Sequence, residues 1–309
     1  MPQRPRLIVL LGPTGVGKTK ISLTLAEMLG CPIVSSDSRQ VFRELKIGTA
    51  RPKTEELERV KHYFIASHSI LERYSAGQYE AEAIDLLDKL FQKHDQVLLV
   101  GGSMMYIDAV CKGIDDIPTV DEATRAFWWK QYEEKGIAYI QQELERLDPK
   151  HFYEQVDRKN PKRMIHALEI CSFTKRPFSN IRTGKIKERP FDILKIGLTR
   201  PREELYERIN IRVEEMMREG LLEEAQALYP QRHLNTLNTV GYKELYEYMD
   251  GKCKLEEAVE HIKRDTRHYA KKQLTWFKRD KDIHWFHPED EAAILQTLSS
   301  GINTAGPNP

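Results

Sequence analysis

The sequence lacks the features that mark disulfide-rich, zinc-binding or membrane proteins. Four cysteines, Cys31, Cys111, Cys171 and Cys253, are spread over 309 residues at wide and irregular spacing. This favours reduced thiols over a disulfide framework or a zinc site. The apolar run RLIVLLG is far shorter than the roughly 20 residues of a membrane span. We therefore expect a cytoplasmic protein with no membrane segment or signal peptide.

A surplus of one charge is also missing. The formal net charge is +1, although 31% of the residues are charged and 40% are hydrophobic. This composition is typical of a globular protein. Because the total charge predicts no class of partner, any basic binding surface must come from local segregation of charge.

What is present is the alternation of apolar runs and helical patterns that is typical of α/β proteins. The runs RLIVLLG, CPIVSSDS and QVLLVGGS end in small or polar residues, and helical patterns such as TKISLTLAEML lie between them. A fourth run, DILKIGLT at 192–199, follows a long intervening segment. We predict an α/β fold with a P-loop NTPase-like parallel sheet flanked by helices, with ligands beyond the carboxyl ends of the strands.

The segment between the third and fourth runs differs in composition from its flanks and predicts an inserted all-helical domain. Its segment 158–190 holds ten Lys or Arg against two Glu, which favours an anionic partner. The predicted organisation is a first core part at 1–115, the insertion at 116–190, a completion of the core with carboxyl-terminal helices at 191–300, and a disordered tail at 301–309.

The stretch GPTGVGKT at 12–19 matches the phosphate-loop pattern G-x-x-x-x-G-K-[ST] between a predicted strand and a predicted helix. Gly12 and Gly17 allow the loop to curl, so that backbone N–H groups point at phosphate oxygens. Lys18 adds a charge, and the Thr19 hydroxyl is the expected magnesium ligand. The alternative is a tight strand-to-helix turn without a ligand, and the loop alone does not specify which phosphate compound binds.

Asp37 ends the second apolar run and is predicted to lie at the same rim of the sheet as the phosphate loop. A carboxylate there can be a magnesium ligand, a general base for a bound nucleophile, or an N-cap of the next helix. The residues alone leave these three roles open.

Taken in order, seven motifs resemble the tRNA dimethylallyltransferase family, also called tRNA isopentenyltransferases, of the bacterial type. The match runs from about residue 6 to residue 285, and the motifs read GPTGVGKT, SSDSRQVFRELKIGTARP, GGSMMYIDAV, DDIP, NPKRMIHALEI, GYKE and RHYAKKQLTWF. The resemblance implies transfer of a dimethylallyl group from dimethylallyl diphosphate to N6 of the adenosine just 3′ of the anticodon in tRNA. It further implies a monomeric enzyme that uses Mg²⁺.

The resemblance also implies roles at the phosphate loop. Asp37 would deprotonate N6, with Thr14 and Lys18 as the other catalytic residues, and Asp37 would be a second candidate magnesium ligand beside Thr19. One arginine of the family contacts the diphosphate, and here Arg208 and Arg212 are both candidates. The diphosphate-binding set is Gly12, Pro13, Thr14, Gly15, Val16, Gly17, Lys18, Thr19, Arg208 and Arg212.

For tRNA, the resemblance implies contacts in five parts of the chain. Ser103 stands where the family usually has threonine, and His166 stands where many relatives have arginine. Lys243 in GYKE is a further candidate. The implied tRNA-binding set is Asp37, Ser38, Arg39, Gln40, Ser103, Arg125, Lys162, Arg163, Met164, Ile165, His166, Arg267 and Lys271.

Several of these residues have a structural alternative. Arg208 and Arg212 could line a solvated helix face, and the cations of NPKRMIHALEI could do the same. The aromatic residues Tyr269, Trp276 and Phe277 lie at helical spacing, which favours a core role over base stacking.

Three other functions share parts of this pattern. A P-loop small-molecule kinase would share the loop, the acid on the second strand and a helical lid. A prenyltransferase acting on free adenine nucleotides would share the chemistry but would not need two basic regions. An RNA-binding module with a vestigial loop would not need Lys18, Thr19 and Asp37 intact.

Overall fold

The structure is a computed structural model that describes residues 4–299, and the tail predicted at 301–309 lies outside the described residues. The chain divides into two compact units. One holds the residues up to Cys111 together with those from Glu188 onward, and the other holds Lys112–Lys187.

A parallel sheet organises the first unit. Its strand order is β3-β2-β4-β1-β5-β6, and β1 pairs along its length with β4 on one side and β5 on the other. The strands are β1 (Arg6–Leu11), β2 (Ile33–Ser35), β3 (His62–Tyr63), β4 (Gln96–Gly101), β5 (Asp192–Leu198) and β6 (Ile283–Phe286).

The α-helices of the described chain agree with most of the helical patterns in the sequence. In chain order they are α1 (Lys18–Leu29), α2 (Thr54–Arg59), α3 (Ala76–Leu90), α4 (Met104–Lys112), α5 (Glu122–Leu147), α6 (Pro161–Thr174), α7 (Phe178–Ile181), α8 (Arg202–Arg218), α9 (Leu221–Leu228), α10 (Tyr242–Met249), α11 (Leu255–Phe277) and α12 (Glu291–Ser299).

The central strand is buried on both faces, as expected for a parallel sheet covered by helices. Ile8 and Leu10 of β1 pack in one apolar cluster with residues of α1 and α12. Leu7 and Val9 point the other way and pack in a second cluster with residues of α3 and α4. The predicted fold class is confirmed, and all four predicted strands are present. The sequence prediction missed β3 and β6, which are only two and four residues long.

A third apolar cluster lies beyond the sheet and fixes the chain that follows β2. It joins Val41, Phe42 and Leu45 to residues of α9, α10 and α11, with Tyr242 fully buried. This cluster holds the segment directly after Asp37 against helices from the far end of the sequence.

The second unit is helical throughout its described elements, with its own core around Trp128, Ile140 and Leu168. Helix α5 is interrupted at Gly136, whose φ is 75° and ψ is −176°. Buried Asp148 joins the end of α5 to α7 by accepting hydrogen bonds from the Ser179 amide and hydroxyl at 2.6 and 2.7 Å. Across the described residues of both units, no helix has the length and apolar character needed to cross a membrane.

Candidate active site

The carboxyl ends of four strands meet so closely that glycine is required at three positions. A Cβ on Gly12 would lie 2.7 Å from the Leu198 carbonyl oxygen at the end of β5. On Gly101 it would lie 2.3 Å from Ser36 Oγ, and on Gly102 it would lie 3.2 Å from the Gly12 carbonyl oxygen. The loops after β1, β2, β4 and β5 therefore form one continuous edge.

The phosphate loop is held in its curled form from outside. Gly15 and Gly17 have φ values of 80° and 109°, which favour glycine. The Val16 carbonyl oxygen accepts a hydrogen bond from Arg200 Nε at 2.9 Å, and the Gly15 carbonyl oxygen accepts one from Arg208 Nε at 3.0 Å. The two arginines thus hold the loop by its carbonyl groups, while the amides of Thr14 and Val16 donate to Gln273 Oε1 and to the Pro13 carbonyl oxygen.

Arg200 was not identified from the sequence. It precedes α8 and forms ion pairs with Glu204 and Glu289 while its guanidinium lies beside His287. These contacts fix Arg200 in place, which makes it a support for the loop.

Two cations and one carboxylate share the interior of this edge. Lys18 Nζ lies across its own loop and donates to the carbonyl oxygens of Gly12 and Pro13, each at 2.9 Å. The pKa of Lys18 is lowered to about 8, chiefly by burial and then by neighbouring Arg212, while Asp37 opposes the shift. Burial also lowers the pKa of Arg212, against the effect of Asp37. Since two cations face a single carboxylate, the site is suited to a polyanion.

Asp37 uses one of its oxygens for local structure. Oδ1 accepts hydrogen bonds from the backbone N–H groups of Arg39 at 2.8 Å and Gln40 at 3.2 Å. These bonds fix the turn directly after β2, whereas the next helix, α2, begins only at Thr54, so Asp37 is not the helix N-cap considered from the sequence. Oδ2 is left for a bound molecule, so this turn contact and catalysis are compatible.

Two tyrosines, Tyr106 and Tyr269, lie near enough to Asp37 for its charge to act on them; Tyr106 was given no role from the sequence, and Tyr269 was expected in the core. Burial raises the pKa of Tyr269 to about 12, and the Asp37 carboxylate contributes to the rise. Burial raises the pKa of Tyr106 as well, with Arg39 opposing and Asp37 contributing. Tyr106 stacks on buried Tyr79 with ring centroids 4.0 Å apart, and the Tyr79 hydroxyl donates to the Ser35 carbonyl oxygen at 2.9 Å.

The segment after Asp37 is anchored, which limits what Gln40 can recognise. Gln40 Nε2 donates to the carbonyl oxygens of Thr49 and Ala50 at 3.1 and 3.2 Å. Its Oε1 atom remains as the acceptor available to a base edge. Ser38 and Arg39 lie half-buried beside it.

The fit to magnesium rests on the chemistry of two side chains. Magnesium prefers hard oxygen ligands. The Thr19 hydroxyl is exposed in the first turn of α1, and Asp37 supplies a carboxylate at the same edge of the sheet. Both candidate ligands therefore suit the ion, together with the oxygens of a bound diphosphate.

Helix α11 contributes a buried glutamine that crosses the edge. Gln273 Oε1 accepts a hydrogen bond from the Thr14 N–H at 2.9 Å, and Gln273 Nε2 donates to the Gly102 carbonyl oxygen at 2.8 Å. Ser103, the neighbour of Gly102, is buried and donates its backbone N–H to the Ser36 carbonyl oxygen at 3.2 Å. The loops that carry Thr14 and Ser103 are thus joined through one side chain.

The other candidates on the carboxyl-terminal helices differ in accessibility. Arg267 is half-buried and donates to Asn210 Oδ1 at 2.6 Å, whereas Lys271 is exposed. Phe277 is buried in the core, and Trp276 Nε1 donates to Asp108 Oδ2 at 2.8 Å, in line with the core role expected for these aromatics. Lys243 pairs with Asp265 at 3.1 Å.

In the helical unit, the candidates on α6 split between surface and core. Lys162, Arg163 and His166 are exposed. Met164 and Ile165 are 0% and 1% exposed. The assignment of these two as tRNA-binding residues is corrected to a packing role for their side chains, because a helix presents residues 162, 163 and 166 on one side and buries those between.

Glu169 connects two further candidates. Its buried carboxylate lies 3.6 Å from Arg125 Nε and 3.6 Å from His166 Nδ1. A buried carboxylate needs such partners, so Glu169 holds both side chains at one end of α6.

Comparison with known proteins gives a consistent result. Residues 40–280 match the family model described as IPP transferase. A tRNA dimethylallyltransferase of Bacteroides fragilis is 58% identical over 296 residues, which cover 96% of this chain and 98% of that protein. One of Christiangramia forsetii is 48% identical over 96% of this chain and 99% of that protein.

The chain belongs to the IPP transferase family.

Solved structures agree with this assignment. The tRNA isopentenylpyrophosphate transferase of Bacillus halodurans is 33% identical, with a TM-score of 0.70 and 96% of each chain covered. A eukaryotic dimethylallyltransferase acting on tRNA is 23% identical with a TM-score of 0.79, and that likeness concerns the fold. The resemblance stated from the motifs is thereby confirmed, and family membership favours prenyl transfer over the kinase and over the vestigial RNA-binding module.

Within this IPP transferase, the residues missed by sequence reasoning are those that act on the site from a distance along the chain. Gln273, Tyr106 and Tyr269 all stand inside motifs quoted above, which was the available signal. Arg200 follows β5 in the same way that Gly12 follows β1. Its position at the end of a strand was the only indication of a role.

Proposed function

We propose that this chain transfers the dimethylallyl group of dimethylallyl diphosphate to N6 of the adenosine 3′-adjacent to the anticodon in tRNA, and that it does so as a monomer. The observation that carries the proposal is the meeting of Lys18, Arg212 and Asp37 at one edge of the sheet. The two cations suit a departing diphosphate, and the carboxylate suits the proton of an amine.

In the reaction, the bond between C1 of the dimethylallyl group and the diphosphate oxygen breaks, and a bond from N6 to C1 forms. The electron pair of the broken bond leaves with the diphosphate. Adenine N6 is a poor nucleophile because its lone pair is delocalised into the ring. Asp37 accepts a hydrogen bond from N6, orients it, and takes its proton as the new bond forms.

The leaving diphosphate is stabilised by charge and by backbone amides. Lys18 exchanges its contacts with the Gly12 and Pro13 carbonyls for diphosphate oxygens, because the polyanion is the stronger partner. Arg212 is the arginine that contacts the diphosphate, since it lies beside Lys18 and Asp37, while Arg208 is bonded to the loop itself. Magnesium, when bound by Thr19 with Asp37 as a second candidate ligand, supplies further neutralisation of the diphosphate.

The acceptor adenine leaves its stack to reach Asp37. Unstacking costs about a few kcal/mol and is cheapest in a single-stranded loop, which fits an anticodon loop. Ser38, Arg39, Gln40 and Ser103 surround the adenine, and the exposed side chains of Lys162, Arg163, His166 and Lys271 contact RNA phosphates.

The experiment is incubation with carbon-labelled dimethylallyl diphosphate, Mg²⁺ and unmodified tRNA, followed by digestion to nucleosides. We expect the label in one nucleoside, N6-dimethylallyl adenosine, from the position 3′ of the anticodon. Label in AMP but not in tRNA would replace the acceptor by a free nucleotide. Phosphoryl transfer from ATP without prenyl transfer would refute the proposal.

A further inference from the structure

We propose that Gln273 is a positioning residue that fixes the distance between the diphosphate half and the acceptor half of the site. The inference rests on the proposed function, because it concerns how the two substrates of that reaction are aligned.

The amide of Gln273 joins two loops. A glutamine side chain can accept at one end and donate at the other. Gln273 does both at once, accepting from the Thr14 N–H at 2.9 Å and donating to the Gly102 carbonyl oxygen at 2.8 Å. Thr14 belongs to the loop that faces the diphosphate, and Gly102 precedes Ser103, which faces the adenine.

Burial strengthens the connection that Gln273 makes between the two loops. Gln273 is 2% exposed, so water does not compete for these bonds. An unsatisfied buried amide or carbonyl costs about 1–3 kcal/mol. Each loop is therefore held in the position that satisfies Gln273, and the amide cannot turn without losing a partner on both sides.

Gln273 lies on a part of helix α11 that is packed into the core. Ala270 and Leu274, on either side of it along α11, pack in the apolar cluster with β1 and β5. Across the edge, Gly102 has no side chain, and a Cβ there would lie 2.4 Å from Gln273 Nε2. The sequence thus keeps a glycine where the amide must approach the backbone.

A fixed distance between the loops matters because alkyl transfer needs C1 and N6 in near-attack geometry. A misplacement of about 1 Å can cost about 100-fold in rate. Because the Thr14 N–H is bonded to Gln273, any contact of Thr14 with the diphosphate is made by the Thr14 hydroxyl group. Gln273 therefore acts on the reaction through the two loops, without touching the reacting atoms.

The test is the single-turnover rate constant of prenyl transfer, measured on the full chain with enzyme in saturating excess over tRNA and with dimethylallyl diphosphate saturating. Because folded enzyme stays in excess over tRNA, this rate constant is independent of the fraction of enzyme that is folded. For Gln273→Met, which keeps the length of the side chain and removes both hydrogen bonds, we expect a rate constant about 10- to 100-fold lower. Apparent affinities for tRNA and for dimethylallyl diphosphate should change less than about 3-fold, because the phosphate-contacting cations are intact.

Two further variants sharpen the test. Gln273→Asn is shorter by one methylene, so it can bond to one loop at a time and should lose less than Gln273→Met. The matched control is Gln78→Met, since Gln78 Oε1 accepts only from the Ser75 amide at the start of α3. Its rate constant should equal that of the wild type.

A readout without catalysis is hydrogen exchange at the Thr14 amide. This amide should exchange slowly in the wild type and faster in Gln273→Met. A wild-type rate constant in Gln273→Met, or a lower amplitude alone, would overturn the inference and leave the proposed function standing. Absence of prenyl transfer by the wild type would instead refute the proposed function, and the inference with it.

Discussion

The strand edge of the first unit and the α6 face of the second unit hold their candidate residues in different ways. At the edge, Lys18, Asp37 and Gln273 are each tied to backbone groups by hydrogen bonds of 2.8 to 3.2 Å. On α6, Lys162 and Arg163 project from the exposed face of a helix whose other face is buried. Fixed side chains suit a reaction that depends on distance, and projecting cations suit attraction to a charged polymer. We therefore expect substitutions at the edge to change rates and those on α6 to change affinity.

The largest effect is expected for Asp37→Asn. It keeps the size of the side chain and a carbonyl oxygen for the Arg39 and Gln40 amides, but it removes the base. Base catalysis contributes about 100- to 10,000-fold, so the single-turnover rate constant should fall by about that factor, while tRNA affinity stays within about 3-fold. The control is Asp192→Asn, since Asp192 begins β5, at the opposite end of the strands, and pairs with Arg4 at 3.6 Å. A wild-type rate in Asp37→Asn would remove Asp37 from the mechanism.

A smaller effect should distinguish the two arginines of α8. Charge-assisted hydrogen bonds contribute about 1.5–3 kcal/mol, so Arg212→Ala should weaken binding of inorganic diphosphate by about 10- to 100-fold. Arg208→Ala should weaken it less, because its guanidinium contacts the loop carbonyl of Gly15. Isothermal titration with diphosphate and Mg²⁺ measures both. The reverse order would make Arg208 the diphosphate contact.

On α6, charge reversal should affect RNA and leave the small substrate alone. Arg163→Glu should weaken tRNA binding by about 10-fold and lower the slope of log K against log salt by about one unit. The apparent affinity for dimethylallyl diphosphate should not change. Lys89→Glu on α3, where Lys89 pairs with Asp85 at 2.6 Å, controls for total charge. Equal weakening by both variants would remove the specific role of the α6 face.

The smallest effect is expected for His166→Arg. Glu169 already lies 3.6 Å from His166 Nδ1 and can hold a guanidinium in the same place. A permanent charge there should strengthen tRNA binding by about 2- to 5-fold with no change in the transfer rate. Filter binding of labelled tRNA at two salt concentrations measures the change. Weaker binding would place His166 away from RNA phosphates.

The sequence predicts local features of this protein better than contacts between distant parts of the chain. Strands β1, β2, β4 and β5, the phosphate loop and Asp37 are readable because apolar periodicity and glycine spacing act over a few residues. Gln273 is not readable as a link, since its partners lie 259 and 171 residues away. Met164 and Ile165 belong to a motif predicted to bind tRNA, although helical periodicity places their side chains in the core. Short β3 and β6 depend on the neighbouring strands more than on their own residues.

The central claim is that this phosphate loop holds a diphosphate that leaves during alkyl transfer. The most direct test is one turnover with labelled dimethylallyl diphosphate and unmodified tRNA, in which free diphosphate and N6-alkylated adenosine are measured in the same samples. We predict that the two products appear in a one-to-one ratio and at the same rate, and that ATP does not replace the donor. Release of inorganic phosphate from ATP, with no alkylated adenosine, would contradict the claim.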